Sequence, residues 1–164
     1  MKLGDAFLEQ LDRETPITRR ALEQVPEGKG DWKPHPKSTA LGYLSTLVAI
    51  MPAWIASIVD RDYLDLAAGG TPTEPSTNRE LVRLFEESVA AGRRALEHAT
   101  DEDLMKSWQL RVGGQVVDEK PRYATIAETF SHLAHHRGQL TVYLRLSDRR
   151  VPSIYGPTAD EAWS

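Results

Sequence analysis

The sequence predicts an all-α chain built as a four-helix bundle, with one small β-hairpin between the third and fourth helices. Three observations carry this reading. Four long segments repeat their apolar side chains near a period of 3.6 residues. One short stretch, Trp108 to Val112, alternates instead and is followed by Gly113-Gly114, which is hairpin chemistry. The chain has 164 residues with 40% hydrophobic and 27% charged side chains, enough for a single core over residues 1–164 and too apolar for wholesale disorder.

The first helix is expected over residues 3–25, where Phe7, Leu11, Thr18, Leu22 and Val25 form a stripe. Pro16 lies inside it and lacks a backbone donor, so a kink or a restart capped by Thr15 is expected there. Pro26 to Gly30 stops the helix, and Trp32-Lys33-Pro34-His35-Pro36 forms a stiff, extended connector. Ser38 or Thr39 is placed to cap a second helix reaching Asp60, lined by Leu41, Leu44, Leu47, Val48, Met51, Ile55 and Ile58, with a bend at Pro52. Residues 67–75 are a loop by composition. Thr77 and Glu80 match a capping box that opens a third helix ending near His98, with Leu81, Leu84, Phe85, Val89 and Leu96 facing in.

Asp101 to Met105 reads as a short turn, then comes the hairpin, which Pro121 ends. The fourth helix is expected from Thr125 to Leu146. Ile126, Phe130, Leu133, Leu140 and Leu144 make its apolar stripe; Thr125, Thr129, His132, His136 and Tyr143 make the adjacent one. The tail from Val151 to Pro157 is too rich in proline and glycine for a helix and is expected to wrap the bundle as coil.

Charge and composition exclude several function classes. With 20 basic and 24 acidic residues the net charge is −4, and no basic stripe exists for nucleic acid. There is no cysteine, which removes disulfides, thiolate metal sites and cysteine nucleophiles and fits a cytoplasmic location. The N-terminus shows no signal-peptide pattern, and the longest apolar run, Leu44 to Ile58, is broken by Ser45, Thr46, Pro52 and Ser57, so no membrane association is expected.

The candidate chemistry sits in the fourth helix. His132 and His136 are four residues apart, hence one turn apart on one face, which is the spacing at which two imidazoles converge on a divalent ion. Gly138 interrupts the same helix at a cost of about 1 kcal/mol relative to alanine, which predicts close approach of another helix or a ligand.

Taken together, the opening Phe7-Leu8-Glu9-Gln10-Leu11, the connector Asp31 to Ser38, the Leu41-Gly42-x-Leu44 helix start, the His132-x-x-x-His136-Arg137-Gly138-Gln139 motif and the Val151-Pro152-x-Ile154-Tyr155-Gly156 tail resemble the DinB-like (YfiT-like) four-helix bundle proteins. The resemblance covers nearly the whole chain, and the His-Arg-Gly-Gln motif is its specific part. It implies an up-down-down-up bundle, a homodimer, and a divalent ion, nickel or zinc, on three histidines. It also implies metal-dependent hydrolase or thiol S-transferase activity on a small molecule. Two of the implied ligands fall on His132 and His136. The third, expected on the second helix six residues after Leu41, falls on Leu47, which cannot ligate. Metal binding at low occupancy or with altered coordination is therefore expected. A small-ligand-binding or dimeric interaction protein without stably held metal is the alternative.

No other residue is an obvious source of the missing ligand. Glu128 is about 12 Å along the helix axis from His136 and reads as an orienting acceptor or a solvated charge. His135 is turned about 100° from His136. His35 belongs to the connector, from which it could still approach the site, and it is the next candidate. Ser131 beside His132 is mere sequence adjacency. Arg137 is expected to form an ion pair across the bundle, Tyr143 to be a core phenol with a bonded hydroxyl, and Trp32, Trp54 and Trp108 to be packing residues first and pocket walls second.

Overall fold

The structure, a computed structural model, describes residues 2–70 and 72–162. Met1, in the expected N-terminal segment, and Thr71, in the expected loop 67–75, lie outside the described residues. Four long helices, α1 (Leu3–Leu22), α2 (Leu41–Asp60), α3 (Asn78–His98) and α5 (Arg122–Leu146), form the bundle, with a short α4 (Asp101–Met105). A three-stranded sheet, β1 (Tyr63–Asp65), β2 (Ser107–Val112) and β3 (Gln115–Pro121), lies beside it.

Helix directions follow from end-to-end contacts. The Asn78 side chain donates to the Leu22 carbonyl and the Asp101 carboxylate accepts from the Leu3 amide, so α1 and α3 are antiparallel. Gly92 of α3 lies against Pro52 and Ile55 of α2, and a cleft joins the starts of both helices, so these two run parallel. The Tyr143 hydroxyl donates to the Thr39 carbonyl, while Arg122 reaches the Arg61 carbonyl and Asp62; α5 is thus antiparallel to α2. The bundle is up-down-down-up, as expected.

Local chemistry explains most of the boundaries. α1 stops at Leu22 rather than 25 because Pro26 has no N–H to donate to the Leu22 carbonyl. The Asn78 amide supplies that bond instead, at 2.8 Å, and also bonds the Val25 carbonyl at 3.2 Å. The helix runs through Pro16 without a restart, and the Thr15 hydroxyl donates to the Leu11 carbonyl one turn back instead of capping. Neither Ser38 nor Thr39 caps α2. The helix begins after Ala40, and its first amides, Leu41 and Gly42, donate to the carbonyls of Trp32 and Gly30 at 3.0 and 2.9 Å, so the connector itself is the cap. α3 opens on the expected capping box. Glu80 donates its amide to Thr77 Oγ1, and its carboxylate accepts from the Thr77 amide, both at 3.2 Å; such a cap contributes about 1 kcal/mol. α5 begins at Arg122, a turn earlier than expected, directly after Pro121.

α2 is the one helix among the described residues that is long and apolar enough to cross a membrane. Its apolar side chains, among them Leu41, Leu44, Val48, Met51 and Ile55, are buried in the core with Phe85, Leu96, Phe130 and Leu140. Ser45 and Thr46, which interrupt its sequence, are buried too, and both hydroxyls donate to the Gly42 carbonyl.

The hairpin forms as expected, with Gly113 and Gly114 both at positive φ (57° and 81°) as a tight two-residue turn requires. β1 was not foreseen. It pairs parallel to β2, Leu64 opposite Leu110, and three residues are too few to show an alternation. Its end is held by Asp65, whose carboxylate accepts from the amides of Ala67, Gly113 and Gly114, so the loop after α2 and the hairpin turn are tied together. Those amides hold the Asp65 carboxyl below the usual carboxylate range.

The tail is coil, as expected, and its first residues, Val151, Pro152 and Ser153, are buried. Arg137 is the largest fully buried side chain of the bundle. Its Nη1 pairs with Glu14 and donates to Thr18, both at 2.6 Å, and its Nη2 donates to the Tyr155 hydroxyl at 2.5 Å. The expected ion pair across the bundle thus also anchors the tail.

Candidate functional site

His132 and His136 come together on α5 as their spacing requires. Their Nε2 atoms are 2.8 Å apart, and the rings are tilted with centroids 4.6 Å apart. His136 Nδ1 lies 2.7 Å from Gln139 Oε1, an amide oxygen that can only accept, so Nδ1 carries the proton. The Nε2 lone pair of His136 is then the acceptor of a hydrogen bond from His132 Nε2–H. Sequence reasoning quoted Gln139 in the motif but missed this role; its position one turn after His136 was the available signal. The indole of Trp54 packs against the His132 ring at 5.6 Å. Burial, reinforced by the imidazoles of His136 and His135, pushes the His132 pKa below its ordinary value and favours the neutral form that a metal needs.

The pair fits two neighbouring positions on one ion. At an imidazole–metal distance of about 2.05 Å, ligands subtending a right angle have nitrogens about 2.9 Å apart. No third donor joins them: among the described residues no three His, Cys, Asp or Glu side chains form a metal-sized cluster. Leu47 is a partly buried side chain packed on the core. Glu128 does not orient an imidazole; both its oxygens accept from Lys120 Nζ at 2.7 Å. His35 is exposed in the connector, where Nδ1 accepts from the Lys37 amide at 3.1 Å. His135 is exposed as well; its ring lies edge-on to His136 at 5.0 Å, nearer than the 100° rotation suggested, yet makes no hydrogen bond to the pair. Ser131 donates to the Ala127 carbonyl and takes no part.

Gly138 does not serve close packing. A Cβ there would meet nothing within 4 Å, whereas one at Gly92 would lie 2.5 Å from the Pro52 carbonyl oxygen. The close helix approach lies between α2 and α3, away from the histidines. Tyr143 is a buried phenol bonded to the Thr39 carbonyl, with Trp32 edge-on to its ring at 5.6 Å.

His132 also forms part of the wall of a cavity of about 260 Å³ between α2, α5 and the inner face of the sheet. The period of two along the strands builds the roof: Trp108 and Leu110 of β2 share a face, and Leu64 and Asp118 lie opposite Leu110 on either side. Trp54 and Ile58 from α2 and Thr125, Glu128 and Thr129 from α5 complete much of the wall.

Comparison with known proteins agrees with this architecture. The family model described as the DinB superfamily matches residues 10–140. The crystal structure of a DinB-like protein from Bacillus cereus ATCC 10987 superposes with a TM-score of 0.73 at 21% identity, covering 92% of this chain and 97% of that one. A DinB-like protein from Bacillus subtilis gives a TM-score of 0.72 at 17% identity, covering 91% and 97%. At these identities the likeness establishes the fold. No curated protein matches the sequence.

Proposed function

Because the chain belongs to the DinB superfamily, we propose that it acts on a small organic molecule where α2, α5 and the sheet meet, with a divalent ion, nickel or zinc, on His132 and His136. The activity is of the metal-dependent hydrolase or thiol S-transferase class. The observation that carries this reading is the 2.8 Å approach of the two Nε2 atoms at the edge of an apolar cavity.

A divalent ion in that position supplies Lewis acidity, which lowers the pKa of a bound water or thiol. The chain's own residues supply the rest. Gln139 fixes the tautomer that puts a lone pair on His136 Nε2, and an ion there would displace the His132 N–H that this lone pair accepts. Trp54 packs against the His132 ring, whose lowered pKa favours the neutral imidazole, and to ligate through Nε2 that ring would carry its proton on Nδ1. Two protein donors hold an ion more weakly and less selectively than three, so the metal is readily exchanged.

A second reading, a metal-free small-ligand-binding protein, is favoured by Leu47 at the position where the resemblance places a histidine. Calorimetric titration of tag-free protein with nickel and with zinc separates the two. Weak binding of one ion per chain, lost in His132→Ala/His136→Ala, supports the metal reading; undiminished binding in the double variant rejects it. The homodimer implied by the resemblance is proposed as the functional unit, checked by sedimentation velocity.

A further inference from the structure

We propose that the sheet-roofed cavity binds an uncharged, one- or two-ring organic molecule, gripped by Trp54 and Trp108. This goes beyond the metal chemistry. The cavity includes His132 in its wall, but none of the grip argued below involves an ion.

Size, lining and charge each narrow the ligand. About 260 Å³ is just below the roughly 300 Å³ at which ordinary small-molecule sites begin, so the space suits a small ring system rather than a nucleotide or peptide. Leu64, Leu110 and Ile58 give it apolar surfaces, and two indoles add flat, polarisable ones. At the polar side, Lys120 Nζ bonds both Asp118 at 2.8 Å and Glu128 at 2.7 Å. One ammonium against two carboxylates leaves a net charge of −1 and no free cation among these three, which disfavours an anionic ligand. The Arg111 guanidinium lies on the opposite face of the sheet, over the Tyr63 ring at 3.9 Å.

The test uses the full-length protein stripped of metal with EDTA, so that the metal reading and this one can fail separately. The probes are 2-naphthol, uncharged at pH 7, and 2-naphthoate, which carries the same rings with a negative charge. Calorimetry should show one 2-naphthol site per chain and binding of 2-naphthoate at least tenfold weaker. Trp108→Ala, which removes one of the two indole surfaces, should weaken 2-naphthol at least threefold. Leu110→Trp, which fills the cavity, should weaken it at least tenfold. The unaltered protein gives a check free of folding effects: 2-naphthol should shift the indole N–H resonances of Trp108 and Trp54 and leave that of Trp32 in place. No binding of 2-naphthol, equal binding of both probes, unchanged affinity in folded Leu110→Trp, or a shift confined to Trp32 would each overturn the proposal.

Discussion

Replacing Gly92 with alanine should destabilise the protein although alanine is the better helix former. At Gly92 the added Cβ would lie 2.5 Å from the Pro52 carbonyl oxygen, and the obstacle is backbone that cannot swing aside as a side chain can. Ordinary contact begins near 3.4 Å, so α2 and α3 must part locally by about 0.9 Å. Overpacking of this kind costs about 1–3 kcal/mol, against which the helix-propensity gain is about 1 kcal/mol. Because the obstacle is backbone, the cost falls at the upper end of that range, and the net loss of about 2 kcal/mol corresponds to a Tm lowered by roughly 4–8 °C in a chain of this size. Gly138→Ala is the internal control. Nothing lies within 4 Å of its Cβ and the position is exposed, so the propensity term stands alone and Tm should rise by about 2–4 °C. Circular dichroism melts and urea titrations of both variants measure the difference. A Gly92→Ala protein as stable as the original would refute the argument that this contact sets the helix spacing.

Further outcomes are expected at the site and its supports. Leu47→His should raise nickel or zinc affinity at least tenfold in calorimetric titration; equal affinity would show that α2 does not face the histidine pair with that position. Arg137→Met should cost about 3–5 kcal/mol in denaturant titrations, because it leaves the largely buried Glu14 carboxylate unpaired. Adding Glu14→Gln to it should recover part of the loss, and an additive double variant would mean that the pair is not coupled. Asp65 sets a pH dependence. Its folded pKa is lowered, so its contribution is present above the unfolded value near 3.8 and is lost as pH falls through the folded one. Amide exchange at Gly113 and Gly114 should therefore stay protected at pH 5 and lose protection below the folded pKa, and Asp65→Asn should weaken that protection at neutral pH.

The legibility of the fold came from period and punctuation. The stripes on α1, α2, α3 and α5 name the buried residues, because a helix of 3.6 residues per turn can satisfy only one such pattern. The Thr77–Glu80 box and the Gly113-Gly114 turn are local chemistry, decided within four residues, and both formed where expected. The failures are equally physical. The caps at Ser38 and Thr39 were superseded by carbonyls of Trp32 and Gly30, partners that only the folded connector brings near. β1 rests on a strand more than forty residues away and on Asp65 reaching the hairpin turn, neither of which leaves a mark in three residues.

The same division runs through the candidate site. By itself the sequence determined that His132 and His136 share a face of one helix, and it placed Leu47 where the family resemblance calls for a third ligand. Covalent spacing and helical geometry suffice for the first, and side-chain chemistry for the second. Only the tertiary structure decided what surrounds the pair. It put Trp54 against His132, gave Glu128 to Lys120, assigned the close helix contact to Gly92 instead of Gly138, and closed a cavity under Trp108 and Leu110. Each of these depends on which distant elements become neighbours. That is set by how the helices and the sheet pack, and no single segment carries it.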